Sequence, residues 1–384
     1  MRYKTSHLST FFLLICIASH FLNTACRGEA HGYFPHSNPT IIHLDSMSLP
    51  NSLYQNVTDL KLISLDSDPN AIISEALGVQ QLIYQEGKYF ILDGKYMAIK
   101  VFDSTGKYLF NIGKLGLGLG EFVRIENLQY NGLHNSIMVL CNNPTKLCEY
   151  ALNGDLLKET RLSFWATSVL LPSKNKRIFY VNQNKSKLSE DFNILETDSF
   201  FKIDSKLVEM PKNISATIKF SGGLFSKNEQ VIFNPAFSNS YYLLQQDTFK
   251  EVYKIDYGTK NLPQFKTQTE LFQNIWRYNY QLFTLFSSNK YFGFNYQDGS
   301  LSTAFYNLHT GRLLTADLKL DSLNILFRNP IFQSDDKVMV ILNSDDLANI
   351  TKINFNKLQE KYPSFCQNLN TADHSFKLLT FKLQ

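Results

Sequence analysis

Between Tyr89 and Gly113 the chain alternates short apolar runs with polar turns: YFILDGKYMAIKVFDSTGKYLFNIG. The pattern predicts strand, turn, strand, glycine turn, strand. Phe90-Ile91-Leu92-Asp93 leads to Val101-Phe102-Asp103 and then Thr105-Gly106-Lys107. A second copy holds Met138-Val139-Leu140-Cys141, Glu149-Tyr150-Ala151 and Asn153-Gly154-Asp155. Gly106 and Gly154 stand 48 residues apart, a spacing typical of propeller blades built from several short strands. Thr-Gly and Asn-Gly between β-rich runs are hairpin signals, because glycine accepts the positive φ of a tight turn. A third copy, Ala304–Asn307 followed by Thr310-Gly311-Arg312, lies 157 residues beyond Gly154. That gap fits three blades of about 52 residues each. The two intervening turns lack glycine and are placed near Ser205 and Asp247.

This rhythm predicts an all-β, six-bladed β-propeller with four-stranded blades. Blade one is expected over Val79–Ile112, blade two over Ile125–Leu162, blade three over Ala166–Val208 and blade four over Thr217–Tyr257. Blade five takes Tyr280–Phe286, Tyr291–Tyr296, Leu301–Tyr306 and Arg312–Leu318. Blade six takes Ile325–Phe332, Lys337–Leu342 and Phe376–Leu383. Blade six is thus one strand short, and Leu60–Leu65 is expected to supply it by pairing with Phe376–Leu383. Closing the ring with an N-terminal strand hides edges that an open sheet would expose. Two small helical insertions interrupt the pattern, at Thr267–Arg277 and at Ser344–Tyr362, the latter with Pro363 just beyond its end. The second reads as an insertion in blade six, or as a plug at one end of the ring.

Composition changes this picture little. The chain has 384 residues, 44% of them hydrophobic and 14% aromatic, including 31 Phe and 20 Tyr. That suffices for one large closed domain. Bulky β-formers packed between blades account for the aromatics; a sugar-stacking platform is the sharper alternative. The net charge of +4 without a long basic run shows no nucleic-acid footprint. No later apolar run is long enough for a membrane span.

The N-terminus reads as an address. Arg2, Lys4 and His7 precede the short apolar run Phe11–Ala18, the form of a secretory signal. Leu22-Asn23-Thr24-Ala25-Cys26 then resembles a bacterial lipobox, departing from it at Asn23. Residues 1–25 are expected as a lipoprotein signal peptide, 26–50 as a flexible tether and 51–384 as the propeller. Cys26 would carry the lipid, the only membrane contact expected, since two or more acyl chains anchor stably. Ordinary cleavage nearby is the alternative. His31, His36 and His43 in the tether lack ligand spacing, and no metal or cofactor is expected. Cys141 and Cys148 flank one turn; an oxidising compartment allows a disulfide between them without demanding it.

Gly113-Lys-Leu-Gly116-Leu-Gly118-Leu-Gly120-Glu121-Phe122 superficially suggests a phosphate loop. It lacks the Gly-Lys-Ser/Thr that opens a helix and reads instead as a crossing between blades. The string from Tyr89 to Phe122, with Ile112-Gly113-Lys114 and Gly120-Glu121-Phe122, resembles the six-bladed, NHL-like propeller lipoproteins of gut bacteria. Leu119 stands where that family often has Pro. The resemblance implies an envelope location and carries over no catalytic residue.

In a propeller, the turns from second to third strand and the crossings between blades open on one face. That face would gather Asp93, Lys95, Glu121, Arg124, Lys146 and Trp165. Asp93 and Lys95 read as turn residues; Arg124 and Trp165 are the candidate ligand contacts. HExxH, zinc-ligand spacing and G-x-S-x-G are all missing from the sequence, so no catalytic residue is assigned. The leading expectation is a non-catalytic module on the outer membrane, on its periplasmic side, holding a protein or glycan. The alternative is a propeller enzyme: a polysaccharide lyase or hydrolase, or a metal-dependent lactonase.

Overall fold

The computed structural model describes residues 38–44, 51–74, 79–210, 223–227, 230–245, 247–288, 290–327, 330, 332–334, 337–343, 355–369 and 376–384. It is a six-bladed β-propeller. Blade one is Val79–Gln85, Lys88–Asp93, Ala98–Asp103 and Tyr108–Ile112; blade two is Arg124–Asn131, Ser136–Asn142, Lys146–Ala151 and Leu156–Arg161. Blade three is Ser168–Ser173, Lys176–Tyr180, Phe192–Thr197 and Ile203–Glu209; blade four is Gly223–Lys227, Gln230–Asn234, Ser240–Gln245 and Thr248–Asp256. Blade five is Tyr280–Ser287, Tyr291–Asp298, Ser300–Asn307 and Leu313–Thr315; blade six is Phe332–Ser334, Lys337–Leu342, Lys377–Leu383 and Val57–Ser64. The first strand of each blade touches the first strands of both neighbours, and blade six meets blade one, so the ring is closed.

The strands show why strict alternation is weak in this sequence. Each blade is covered on both faces, so a second strand such as Ser136–Asn142 is buried at every position. The hydrophobic core accordingly falls into six clusters, one at each junction between blades. The aromatic residues fill these junctions. Tyr180 meets Phe233 edge-on across blades three and four at 5.2 Å, and Tyr241 meets Phe292 across blades four and five at 4.6 Å. Such edge-to-face pairs add about 0.5–1.5 kcal/mol beyond area burial.

Ring closure follows the expected pairing. Leu62 lies opposite Leu379, Ile63 opposite Leu378 and Val57 opposite Leu383, in antiparallel register. Gly106 explains why the first glycine turn is intolerant of a side chain. It sits at φ +91°, and a Cβ there would lie 2.1 Å from the Ser64 carbonyl oxygen of the closing strand.

The structure departs from the sequence reading in four places. First, Thr40–His43, placed in the tether, is a strand that adds in parallel to Thr248–Asp256 at the rim of blade four. Asn51–Ser52 does the same at blade five. The N-terminal segment thus lines the rims of three successive blades. Second, the turn of blade three lies before Ser205, at Asp198–Lys202. The Asp198 carboxylate accepts the amides of Phe200 and Lys202, as Asp103 accepts those of Thr105 and Lys107. Phe201 takes the left-handed position that Gly106 fills in blade one, which is how this turn dispenses with glycine. Third, Ser322–Phe327 is a 3-10 turn, where a strand was expected from Ile325. Asp321 accepts the Leu323 amide at its start, and Asn324 bonds Asp317, Ser52 and Tyr54. Fourth, the insertion of blade six ends in helices α2 (Phe355–Lys361) and α3 (Pro363–Gln367), after α1 (Gln268–Asn274) in the earlier insertion. Leu358 and Phe365 pack on Leu53, Tyr54 and Leu326 at the outer junction of blades five and six. These helices therefore brace the rim and leave the ring's ends unplugged by them. Residues 344–354 of that expected helix lie outside the described residues.

Candidate ligand-binding face

The topology brings the second-to-third-strand turns and the crossings between blades to the same face, here called the upper face. Asp93, Lys95, Glu121, Arg124, Lys146 and Trp165 all map to these segments or to strand ends beside them. The structure then separates those that hold the scaffold from those that remain available.

Asp93 belongs to the scaffold. It is fully buried, and its carboxylate accepts the amides of Ser74, Lys95 and Tyr96. It is one of a sixfold set that sequence reading missed. Asp93, Asn142, Asn182, Asn234, Asn295 and Asn343 each close an apolar triplet in the second strand of its blade or just beyond it. The first five are buried. Asn142 donates to Ala166 in the next crossing, and Asn234 to Ser238, Ser240 and the Gln281 side chain of blade five. Buried amides are mostly hydrogen-bonded: the partners of Asp93, Asn142 and Asn234 tie a blade to its own turn or to its neighbour, while Asn182 and Asn295 accept from Tyr180 and Thr303 of their own blades. Similar apolar runs before Asn111, Asn153 and Asn307 in other strands hid this set in the sequence.

Lys146 and Glu121 also serve the scaffold. The buried Lys146 ammonium pairs with Glu159 at 2.9 Å and donates to the Gly118 carbonyl at 3.2 Å. Glu159 also accepts the Gly120 amide, and the Tyr150 hydroxyl donates to the Gly120 carbonyl. Burial pushes the Glu159 carboxyl up, but the Lys146 ammonium and the Gly120 amide outweigh it and hold it below the usual carboxylate range. Glu121 folds back to Lys114 at 3.0 Å and to the Gly118 amide. The glycine-rich segment is thus a crossing strapped onto blade two, as its spacing predicted. Gly113, at φ +61°, leaves no room for a Cβ beside the Phe122 ring.

Cys141 and Cys148 lie beneath this strap as free, buried thiols. The disulfide that the sequence allowed is not formed. Cys141 faces Lys146 across the hairpin and Cys148 faces Val139, so the two are diagonal neighbours, and their thiols hydrogen-bond each other. Cys366, also free, is a buried residue of α3 itself, packed into the junction of blades five and six. Cys26, the lipid candidate, lies outside the described residues.

Arg124 and Trp165 are brought to the same neighbourhood. Arg124 opens blade two directly opposite Asn142, whose side chain bonds Ala166, the residue after Trp165. Arg124 pairs with Glu126 on its own strand, and its side chain keeps 43% of its surface open. Trp165 is partly exposed in the crossing from blade two to blade three. The only other tryptophan of the chain, Trp276, lies on this face too, in the crossing from blade four to blade five. It follows α1, is 64% exposed, and has the Arg277 guanidinium 4.9 Å from its ring centre. Tyr96, half exposed in the turn of blade one, has Lys95 over its ring. Sequence reading singled out Trp165 and missed Trp276, which lies inside the expected helical insertion Thr267–Arg277. Among the described residues, no three His, Cys, Asp or Glu side chains gather as a metal site.

This architecture places the chain among the six-bladed β-propellers. A family model matches residues 40–373, and the chain belongs to the family described as "Domain of unknown function (DUF4934)". The structure is similar to that of a candidate exported protein from Bacteroides fragilis, with a TM-score of 0.74 at 18% identity, covering 90% of this chain and 100% of that one. It is also similar to a member of the DUF4221 family from Bacteroides vulgatus, with a TM-score of 0.51 at 9% identity, covering 85% of this chain and 97% of that one. No curated protein sequence matches.

Proposed function

We propose that this protein is a cell-envelope binding or scaffold module, held by a lipid on Cys26, that takes a protein or glycan on its upper face. The observation that carries this reading is the placement of both tryptophans on that face, outside the six packed junctions. Tryptophan and arginine are among the residues most enriched where binding energy concentrates. The buried carboxylates and amides of the same face are occupied in holding turns and crossings. Likeness to a candidate exported protein, the signal-like N-terminus and the lipobox-like Leu22–Cys26 support an envelope location, with the periplasmic side of the outer membrane favoured.

The test is a glycan-array screen and a pull-down from envelope extract, each with wild type and with Trp165→Ala, Trp276→Ala and Arg124→Ala. Truncating a central anchor costs about 2 kcal/mol or more, so at least one variant should lose roughly thirtyfold in affinity for the captured ligand. A ligand bound equally by all four proteins would move the site off this face.

A further inference from the structure

The crossing from blade four to blade five carries more structure than a connection needs. Helix α1, Gln268–Asn274, runs on into a 3-10 turn over Ile275–Arg277. Its start is capped: the Thr267 hydroxyl accepts the Glu270 amide at 3.1 Å, and the Glu270 carboxylate accepts the Lys266 amide at 2.9 Å. Its end is tied down. The Asn279 amide donates to the Lys260 carbonyl at 2.8 Å, and the Lys260 ammonium donates to the Arg277 carbonyl at 3.4 Å. Leu271 is buried beneath this pedestal.

The side turned outward is aromatic. Phe272 is 40% exposed and Trp276, four residues on, is 64% exposed; residues at that spacing are neighbours on a helical surface. Neither ring belongs to any of the six packed junctions. Trp276 is fixed in place, because its indole N–H donates to the Gln273 carbonyl at 2.8 Å. With that N–H spent inside the helix, the ring offers a ligand only its face. The Arg277 guanidinium stands 4.9 Å from the ring centre, and the Lys260 ammonium is bound to the carbonyl of the same arginine. Both cations are exposed, and neither has a carboxylate within ion-pair distance among the described residues. Between Tyr257 and Asn279 the crossing sets Lys260, Lys266 and Arg277 against a single carboxylate, Glu270, and that one is turned to the opposite end of α1.

We propose that this pedestal binds an acidic oligosaccharide, one whose sugars carry carboxylate or sulfate groups. The inference rests on the reading of the upper face as a binding face and names both the subsite and the ligand class. The C–H face of a sugar ring carries slight positive charge and lies flat on the negative face of an aromatic ring. Arg277 supplies a planar fork for two oxygens of an acidic group, and Lys260 supplies a point charge beside it. Area favours a glycan over a protein. The open parts of the two rings amount to roughly 200–300 Å², enough for one or two sugar rings, while a specific protein interface buries about 1,200–2,000 Å².

The chain has only two tryptophans, so emission from two variants can locate the ligand. Trp165→Phe leaves Trp276 as the reporter, and Trp276→Phe leaves Trp165. Each is titrated with tetragalacturonate, a heparin-derived sulfated tetrasaccharide and neutral maltotetraose. An acidic tetrasaccharide should shift the Trp276 emission saturably, with a Kd on the order of a millimolar or below, and bind at least tenfold more tightly than maltotetraose. The tighter of the two acidic arms tells carboxylate from sulfate. Adding Lys260→Gln and Arg277→Gln should remove that preference, since a hydrogen bond to a charged group carries about a factor of ten or more. Raising the salt should weaken the acidic sugar alone. Adding Phe272→Ala should weaken binding severalfold, and melting without ligand should stay unchanged, because these side chains lie outside the packed junctions. An acidic sugar reported by Trp165 and silent at Trp276 would move the site beside Arg124, keeping the upper-face reading and ending this one. No saturable binding of either acidic tetrasaccharide, or equal binding of the neutral one, also overturns the proposal. The upper-face reading is then judged separately, by whether a protein is captured through Trp165, Trp276 or Arg124.

Discussion

Glu149 shows how single residues hold this ring together. One of its carboxylate oxygens accepts from Asn131 and His134 at 2.9 Å each and from Ser136 at 2.5 Å. The cluster closes the first turn of blade two, and the Arg177 guanidinium of blade three lies within its field. Burial pushes this carboxyl up, but the hydrogen bonds from Ser136, His134 and Asn131 outweigh it and hold it below its ordinary value. A carboxyl lowered by folding contributes stability that is complete above its unfolded pKa and is lost as pH falls through the folded one. The contribution should therefore be present at neutral pH and fade from about pH 4.5 downward. Glu149→Gln should cost about 1.5–3 kcal/mol at pH 7, the scale of a hydrogen bond to a charged group. The gap between wild type and variant should shrink in acid. Denaturant melts at pH 7 and pH 3.5 check this; an equal gap at both values would deny Glu149 that role.

At the scale of elements, the rim strands are the clearest lever. Val57–Ser64 completes blade six, while Leu53 and Tyr54 pack into the junction of blades five and six. Burying Leu53, Tyr54, Val57 and Leu60 is worth about 1.5–3 kcal/mol each, and for a chain of this size each kcal/mol moves Tm by about 1 °C. Deleting residues 51–65 should therefore lower Tm by about ten degrees and expose the edge of Lys377–Leu383 to aggregation. Deleting only residues 38–50 removes Ile42, the one fully buried apolar residue among those of the segment that are described, and should cost a few degrees. Equal melting of the two truncations in calorimetry would refute the closure. The missing-strand count made this closure legible in the sequence. The added strands at Thr40–His43 and Asn51–Ser52 were not, because two to four residues are too few to show a period. The 3-10 turn at Ser322–Phe327 was missed for a related reason: an apolar run does not tell strand from helical turn. Arg124 and Trp165 could be placed from topology alone.

At the scale of the whole molecule, the proposed anchor would decide how the ring's faces meet the envelope. The described chain reaches the rim of blade four at Thr40. If Cys26 is the first mature residue, the fourteen residues from there to Thr40 span at most about 50 Å even fully extended. The propeller would then stay within that distance of the membrane, attached by its rim rather than by either face, so that both remain open to ligands. This geometry depends on the lipid, which makes Cys26 the decisive residue. Small residues Thr24 and Ala25 precede it after a short apolar run with a basic start, the order that signal cleavage needs. Wild type should fractionate with membranes and incorporate labelled palmitate, and Cys26→Ser should appear in the soluble fraction without label. Protease shaving of intact cells then reports the leaflet: protection is expected on the periplasmic side. A Cys26→Ser protein that stays with the membranes, together with unlabelled wild type, would end the anchor proposal and leave the proposed upper-face binding to be tested without it.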